Sequence, residues 1–443
     1  MKARRTIYRI IFGLTLLTAL GACIDELDIE TLGGDDADGM LVVEAVFTNE
    51  MKTQAVYLSR SDDRLDLETD TTYNKYIPVG TRAYDSVVVE TGASVKVLGG
   101  NGTEFVFTEG QGGSYFSNAP FALEMGVDYS LEITTNSGTT YTSEKVGVKG
   151  TSEITNVYAE RATSNSGVDG VAIYIDSEPG LGASEYYRYT YDETYKIVAP
   201  MWSPVDFKLT NYDPCALPEP TYDLEIVPRE VQNQVCYNTV SSNTIELAST
   251  AGNPGSKVSK QMVRFIGRDN FIISHRYSIL VKQLVQSADA YSYYETLKSL
   301  SQSEDIFSQV QPGALYANVS RKDGKDENVL GYVEAVGVTE KRLFFNFEDL
   351  FPGEELPPYP YGCGLETARE SQLSYCYAGE GLPEDCPPSV IERVDQGLIS
   401  YYAPYSESLV PNSSCPGPYV FVTRVCGDCT LLGANVVPEF WEE

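Results

Sequence analysis

Few residue types in this chain could do chemistry, and cysteine comes first. Cys426-Gly427-Asp428-Cys429 has the Cys-x-x-Cys spacing that serves half a zinc site, a dithiol redox centre or structural cross-links. A zinc ribbon needs a second such knuckle, and the sequence has none. A thioredoxin-like pair sits in a βαβ unit near the chain start, whereas this one lies close to the C-terminus. A structural role is the expectation that remains. His275 is the single histidine, which removes mechanisms that need two imidazoles, including most zinc hydrolase sites. There is no Gly-x-Ser-x-Gly elbow, His-Glu-x-x-His, phosphate-binding Gly-rich loop or dinucleotide fingerprint. Glycoside hydrolysis by two carboxylates needs only a pair of acids at the right separation. The 63 acids present do not argue for it, because most acids in any chain are solvated. The sequence therefore predicts a non-enzyme with no catalytic residue, metal ligand or cofactor.

Across 443 residues, 32 Lys+Arg stand against 63 Asp+Glu, a formal net charge of −31. A polyanion of that size repels phosphate backbones and excludes nucleic acid as a partner. With 42% hydrophobic and 21% charged residues the chain is globular, and its length suits two or three domains. Abundant Tyr (32) and Gly (37) with scarce Met (6) suit strands and turns.

Lys2, Arg4, Arg5 and Arg9 precede an apolar run from Ile10 to Leu20, which ends in Leu20-Gly21-Ala22-Cys23. This is the pattern of a secretory signal (1–22) with a lipoprotein cleavage site, and too short for a span of about 20 residues. Acyl chains on Cys23 would hold the protein at a membrane. Residues 23–40 read as an acidic tether. Within it, Asp35 to Gly39 is not an EF-hand loop, because Gly34 occupies the first ligand position.

The elements that must position everything else are mainly β. In 41–150, Val95–Leu98 and Phe105–Thr108 flank Gly99-Gly100-Asn101-Gly102, and Tyr129–Ile133 and Thr140–Thr142 flank Asn136-Ser137-Gly138. Strand, turn, strand at this spacing predicts an immunoglobulin-like antiparallel β-sandwich. Residues 151–443 read as a larger antiparallel β domain. Tyr187, Tyr189, Tyr191, Tyr195 and Ile197 form one face of a strand there. Such a row suits a carbohydrate platform, but more often walls a sheet core. A strand from Phe271 to Val281 would turn His275 inward among aromatic and aliphatic neighbours. Ser287 would cap the one main helix, near 287–301. Strands follow at Val329–Val338 and Lys341–Phe347, then a disulfide-rich tail, 352–443.

An exported chain meets an oxidising compartment, so the eight cysteines beyond Cys23 are expected to form disulfides. Cys215 and Cys236 stand apart from the others and are expected to pair. Cys363, Cys376, Cys386, Cys415, Cys426 and Cys429 allow fifteen pairings among which spacing does not choose.

Taken together, several segments resemble a known family. They are the lipobox at Cys23, Met40–Ala45, Asp169–Asp176, Tyr186–Tyr195, Val329–Val333, and the terminal Cys426-Gly427-Asp428-Cys429-Thr430 with Gly433–Trp441. They are similar to the Bacteroidota outer-membrane lipoproteins called domain of unknown function 4249. The acids behind Cys23 resemble the signal that sends such lipoproteins to the outer face of the outer membrane. The resemblance implies a location on the cell surface and a neighbouring TonB-dependent transporter as partner. It brings no catalytic residues. The expected function is a non-enzymatic accessory to such a transporter in nutrient capture or uptake, with ligand unknown. The alternative is a stand-alone glycan-binding or adhesion lipoprotein.

Overall fold

The computed structural model describes residues 39–61, 88–182, 185–218, 220–253, 255–302, 317–325, 327–370, 389–414 and 416–443. The signal, Cys23 and nearly all of the acidic tether lie outside them. Short strands come first: β1 (Leu41–Thr48), β2 (Ala55–Arg60), β3 (Val88–Val89), β4 (Ser94–Gly99), β5 (Glu104–Glu109), β6 (Ser114–Ser117), β7 (Tyr129–Thr134) and β8 (Thr140–Ser143). Longer ones follow: β9 (Gly150–Thr163), β10 (Asp169–Gly182), β11 (Tyr186–Val198), β12 (Val205–Asp213), β13 (Thr221–Pro228), β14 (Val235–Ser241), β15 (Glu246–Ser249), β16 (Val258–Gly267) and β17 (Arg276–Val285). The rest comprises α1 (Ala288–Gln302), β18 (Val319–Arg321), β19 (Leu330–Asn346), α2 (Phe347–Leu350), α3 (Val390–Asp395), β20 (Ile399–Pro404), β21 (Tyr419–Thr423) and α4 (Arg424–Gly427). The chain is mainly β, with one main helix. Ser287 caps that helix through Oγ, which accepts from the Ala290 amide at 3.1 Å.

Alternation explains the first unit. Leu41, Val43, Ala45 and Phe47 of β1 are buried, and Val95 and Val97 of β4, Leu131 and Ile133 of β7 and Tyr141 of β8 join them in one core. The hydrogen-bonded path β1-β2-β6-β5-β4-β7-β8-β18 must therefore curl on itself to bury a single face. Phe47 of β1 meets Phe107 of β5 edge-on at 6.1 Å, although two strands separate them in the path. Both hairpins read from glycine turns are present, β4 with β5 and β7 with β8.

The first core is completed from far along the chain. Val319, Val329, Val333 and Ala335 pack into it, so this unit draws on residues well beyond 41–150. Its link is β19, one continuous strand where the sequence suggested two. Residues 330–336 pair with β1, and residues 337–346 pair antiparallel with β17. The β1–β19 pair is the only parallel one among the described strands. Gly331 has φ +96, and a Cβ there would lie 1.9 Å from the Val43 carbonyl oxygen, so no other residue fits this approach.

In the second unit, β14-β11-β17-β19 faces a three-stranded sheet, β16-β10-β9. Val171, Ile173 and Ile175 of β10 meet the tyrosines of β11 and Ile279 and Val281 of β17 in a second core. Two smaller clusters form the C-terminal part. Ala368, Val390, Ile399 and Phe421 make one, against which Phe207 and Leu224 of the β12–β13 hairpin pack, and Val422, Val425 and Cys426 make the other. The end of the chain runs along β14, where Tyr237 and Ala434 exchange backbone hydrogen bonds at 2.8 Å. That pairing covers an edge strand that would otherwise be open. Trp441 then packs on Tyr237 and Phe344.

Candidate functional site

Tyr187, Tyr189, Tyr191 and Tyr195 are 1–6% exposed and wall the second core, so the row is not a platform at the surface. Glu193 lies in the same row. Arg264 of β16 grips its carboxylate through two bonds, at 3.1 and 3.2 Å, and the Tyr277 hydroxyl donates to it at 2.7 Å. This joins the two sheets across the core. Burial, reinforced by the Glu193 charge, pushes the Tyr277 hydroxyl well above the usual tyrosine range, so it stays a donor. Glu334 of β19, 2% exposed, is held by Arg188 of β11 and accepts from Gln286 at 2.7 Å. The Arg188 guanidinium lies 4.1 Å over the Tyr294 ring of α1. Asp428 accepts from the amide and hydroxyl of Thr430. These three are the buried acids among the described residues, and each is committed to partners inside the protein.

His275 is not on a core face. Asn270 caps a single 3-10 turn, Phe271–Ile273, by accepting from the Ile272 amide at 3.2 Å, and the strand begins only at Arg276. The apparent alternation from Phe271 onward belonged partly to that turn. His275 is half-buried and lines a shallow cleft of about 470 Å³ with Lys196, Arg276, Asn346, Glu348 and Glu443. Burial, then the Lys196 charge, lowers its pKa below the ordinary 6.5. The cations beside it are taken: Lys196 pairs with Glu443 at 3.2 Å, and Arg276 bonds the Glu442 carbonyl and Asn346.

The cysteines differ from expectation in their pairing. Cys236 is joined to Cys429, across 193 residues of sequence, and not to Cys215. Cys363 is joined to Cys426. Cys215 is itself disulfide-bonded. Cys376, Cys386 and Cys415 lie outside the described residues. Isolation in sequence misled because β14 carries Cys236 into the second core, where Cys429 also lies. The Cys-x-x-Cys motif thus forms two cross-links, one to β14 and one to the 361–363 loop. Among the described residues no group of three or more His, Cys, Asp or Glu is placed to hold a metal ion.

The second of those cross-links closes a cavity. About 320 Å³ lies between Tyr361 and Gly362 on one wall and Thr423, Arg424 and Val425 on the other, and the Cys363–Cys426 bond ties the two walls together. Arg393, Gly397, Leu398, Glu366 and Leu431 complete the lining. The helix α3 sets one side. Ser389 caps its start, and at its end the Gly397 amide bonds the Val394 carbonyl while the Leu398 amide bonds that of Arg393. That closure needs the left-handed conformation of Gly397, φ +65. A Cβ there would also come within 2.8 Å of Arg424 Nη1, so the glycine leaves room for the guanidinium. Arg393 is satisfied by Glu366 at 2.9 Å. Arg424 is paired with Asp428, whose carboxylate lies 3.6 Å from Nε. Nothing in the sequence pointed to Arg393, Arg424 or Gly397, which come together only through α3 and the disulfide.

No helix among the described residues is long and apolar enough to cross a membrane. The model of one family, Domain of unknown function (DUF4249), matches residues 24–342. No curated protein matches the chain.

Proposed function

The chain belongs to the DUF4249 family, and on that footing we propose that it is a non-enzymatic surface lipoprotein of a Bacteroidota outer membrane, accessory to a TonB-dependent transporter in nutrient capture or uptake. The lipobox at Cys23, the acids behind it and the family resemblance support the location and the partner class. The observation that carries the non-enzymatic reading is the state of the buried acids. Glu193, Glu334 and Asp428 are each neutralised or hydrogen-bonded inside the protein, whereas a glycoside hydrolase needs a protonated acid and a carboxylate both facing a cleft. The alternative, a stand-alone glycan-binding or adhesion lipoprotein, loses its main support because the tyrosine row is buried.

Cross-linking in intact cells followed by mass spectrometry tests the proposal. It should return peptides of a TonB-dependent barrel linked to this chain. Self-links alone, together with tight glycan binding by the purified protein, would favour the alternative.

A further inference from the structure

We infer that the outward face of the first sheet around Tyr57 and Phe116 is where the chain docks on its transporter, and that the partner meets it with an arginine set among apolar side chains. This placement rests on the transporter reading and adds to it the surface and the chemistry of the contact. Alternation sends Val56 and Leu58 of β2, Tyr115 of β6 and Phe107 of β5 into the first core, so their neighbours Tyr57, Phe116 and Val106 point away from it. With Val89 of β3, these residues are 38–50% exposed. The registers make one patch of them. Val89 stands opposite Ser59, and Phe116 stands opposite Ala55 on one side and Thr108 on the other. Val89, Tyr57, Phe116 and Val106 are therefore successive diagonal neighbours across four strands. Single exposed apolar residues are ordinary, whereas a contiguous run with two aromatic rings has the composition of an interface core.

Charge and position choose the occupant. Glu44 of β1 stands directly opposite Tyr57, is exposed, and makes no ion pair or hydrogen bond among the described residues. An arginine can bond that carboxylate and lay its planar guanidinium on the Tyr57 ring at once, which the compact charge of a lysine does less well. At the other end of the patch Lys96, opposite Val106, is already paired with Glu132 at 3.1 Å, so the face presents an open acid and a neutralised lysine. Such a face, on a chain of formal charge −31, is repelled by anionic lipid, which leaves a protein as the occupant. The patch also lies where the anchor enters the fold. Arg60, three residues along β2 from Tyr57, bonds the Gly39 carbonyl at 3.1 Å. The segment from Cys23 to Gly39 spans no more than about 60 Å at full extension. A lipid on Cys23 therefore keeps this face within reach of a barrel in the same membrane.

The test is photo-cross-linking of the full chain in intact cells, with Phe116→benzoylphenylalanine and, as the control, Met262→benzoylphenylalanine on β16 of the second unit, where Met262 is similarly exposed. Illumination should link position 116, and not position 262, to an outer-membrane barrel. Glu44→Lys should reduce co-purification of that barrel at least tenfold at an unchanged melting temperature, and Glu44→Gln should reduce it less. Chemical cross-linking of the wild-type chain separates the two ways of failing. If it returns the barrel while position 116 links to it no better than position 262 does, or links to lipid or a second copy alone, the docking face is overturned and the transporter reading stands. If it returns no barrel, the transporter reading fails and the docking face with it. A Glu44→Lys chain that recovers the barrel as well as wild type does would overturn the arginine contact.

Discussion

Asn318 donates through Nδ2 to the Val333 carbonyl oxygen at 2.7 Å and accepts at Oδ1 from the Val333 amide at 2.9 Å. One side chain thus does what a strand would do at that point. It satisfies the side of β19 turned away from β1, and brings the last strand of the curled sheet, β18, back to the first core. Both residues are buried, and Val333 is fully so.

Asn318→Ala should therefore destabilise the chain by about 2–4 kcal/mol, since it leaves a buried amide and a buried carbonyl without partners. Asn318→Asp keeps the acceptor, loses the donor and adds a buried charge, so it should be no milder. Urea unfolding midpoints check this. A loss below about 0.5 kcal/mol would mean that water replaces the side chain at no cost, against the usual penalty for a buried unpaired group.

Arg188 and Glu334 make a buried ion pair, with side chains 11% and 2% exposed. Glu334→Ala strands a guanidinium that is packed under Tyr294, and should cost about 3–5 kcal/mol. Arg188→Met with Glu334→Leu removes both charges and should lie much closer to wild type. Chemical denaturation of Arg188→Met, Glu334→Leu and the two combined gives the coupling. Strictly additive losses would contradict the pairing.

Removing the Cys236–Cys429 bond by a double Ser substitution should cost about 2–5 kcal/mol, because it releases a loop of 193 residues in the unfolded chain. Removing Cys363–Cys426 in the same way releases a loop of 63 residues and should cost about 2–4 kcal/mol. Urea unfolding under non-reducing conditions checks both losses.

The lowered pKa of His275 has a definite sign. The unfolded chain takes up a proton near pH 6.5, while the folded site, partly buried and beside Lys196, takes it up only at lower pH. The stabilising contribution is complete above 6.5 and is lost as pH falls through the folded value. Arg276, Glu348 and Glu443 also face the cleft. His275→Gln should flatten the dependence of stability on pH just below 6.5 and change it little at pH 8. A variant with the wild-type slope would show that other groups set it.

Cys23→Ala should release the protein from membranes into the soluble fraction, since no apolar run other than the signal in the sequence is long enough to hold it there. Immunoblotting of fractionated cells reads this directly. A Cys23→Ala protein that still sediments with outer membrane would contradict lipid anchoring.

What was legible in the sequence was local. The β4–β5 and β7–β8 hairpins announced themselves through glycine turns, and α1 through Ser287 and its spacing. The Tyr187–Ile197 face showed its alternation, and its burial followed the common fate of such rows. Glu193 stood in that row as an acid on an aromatic face, a sign that it needed an internal partner, but Arg264 could not be identified without the opposing sheet. The disulfide partners, the parallel pairing of Val42 with Leu330 and the walls around Arg424 depend on residues far apart in sequence. No pattern within a window of the chain encodes them. His275 was misplaced for a local reason, because Asn270 starts a turn inside what alternation presented as a strand.

The division of β19 between two partners bears on the order in which the chain is made. Val42 leaves the ribosome early, yet the strand beside it, from Leu330, emerges only after β9 to β17 of the second unit have been synthesised. Until then β1 has β2 on one side and an empty hydrogen-bonding edge on the other. Contacts between such distant residues are slow to form, because a long loop must close before they contribute anything. A nascent chain released at residue 150 therefore has an unfinished first unit with an exposed edge, ready to pair with another chain. Fragments ending there should aggregate, and the chain that reaches Val336 is the first able to cover that edge for itself.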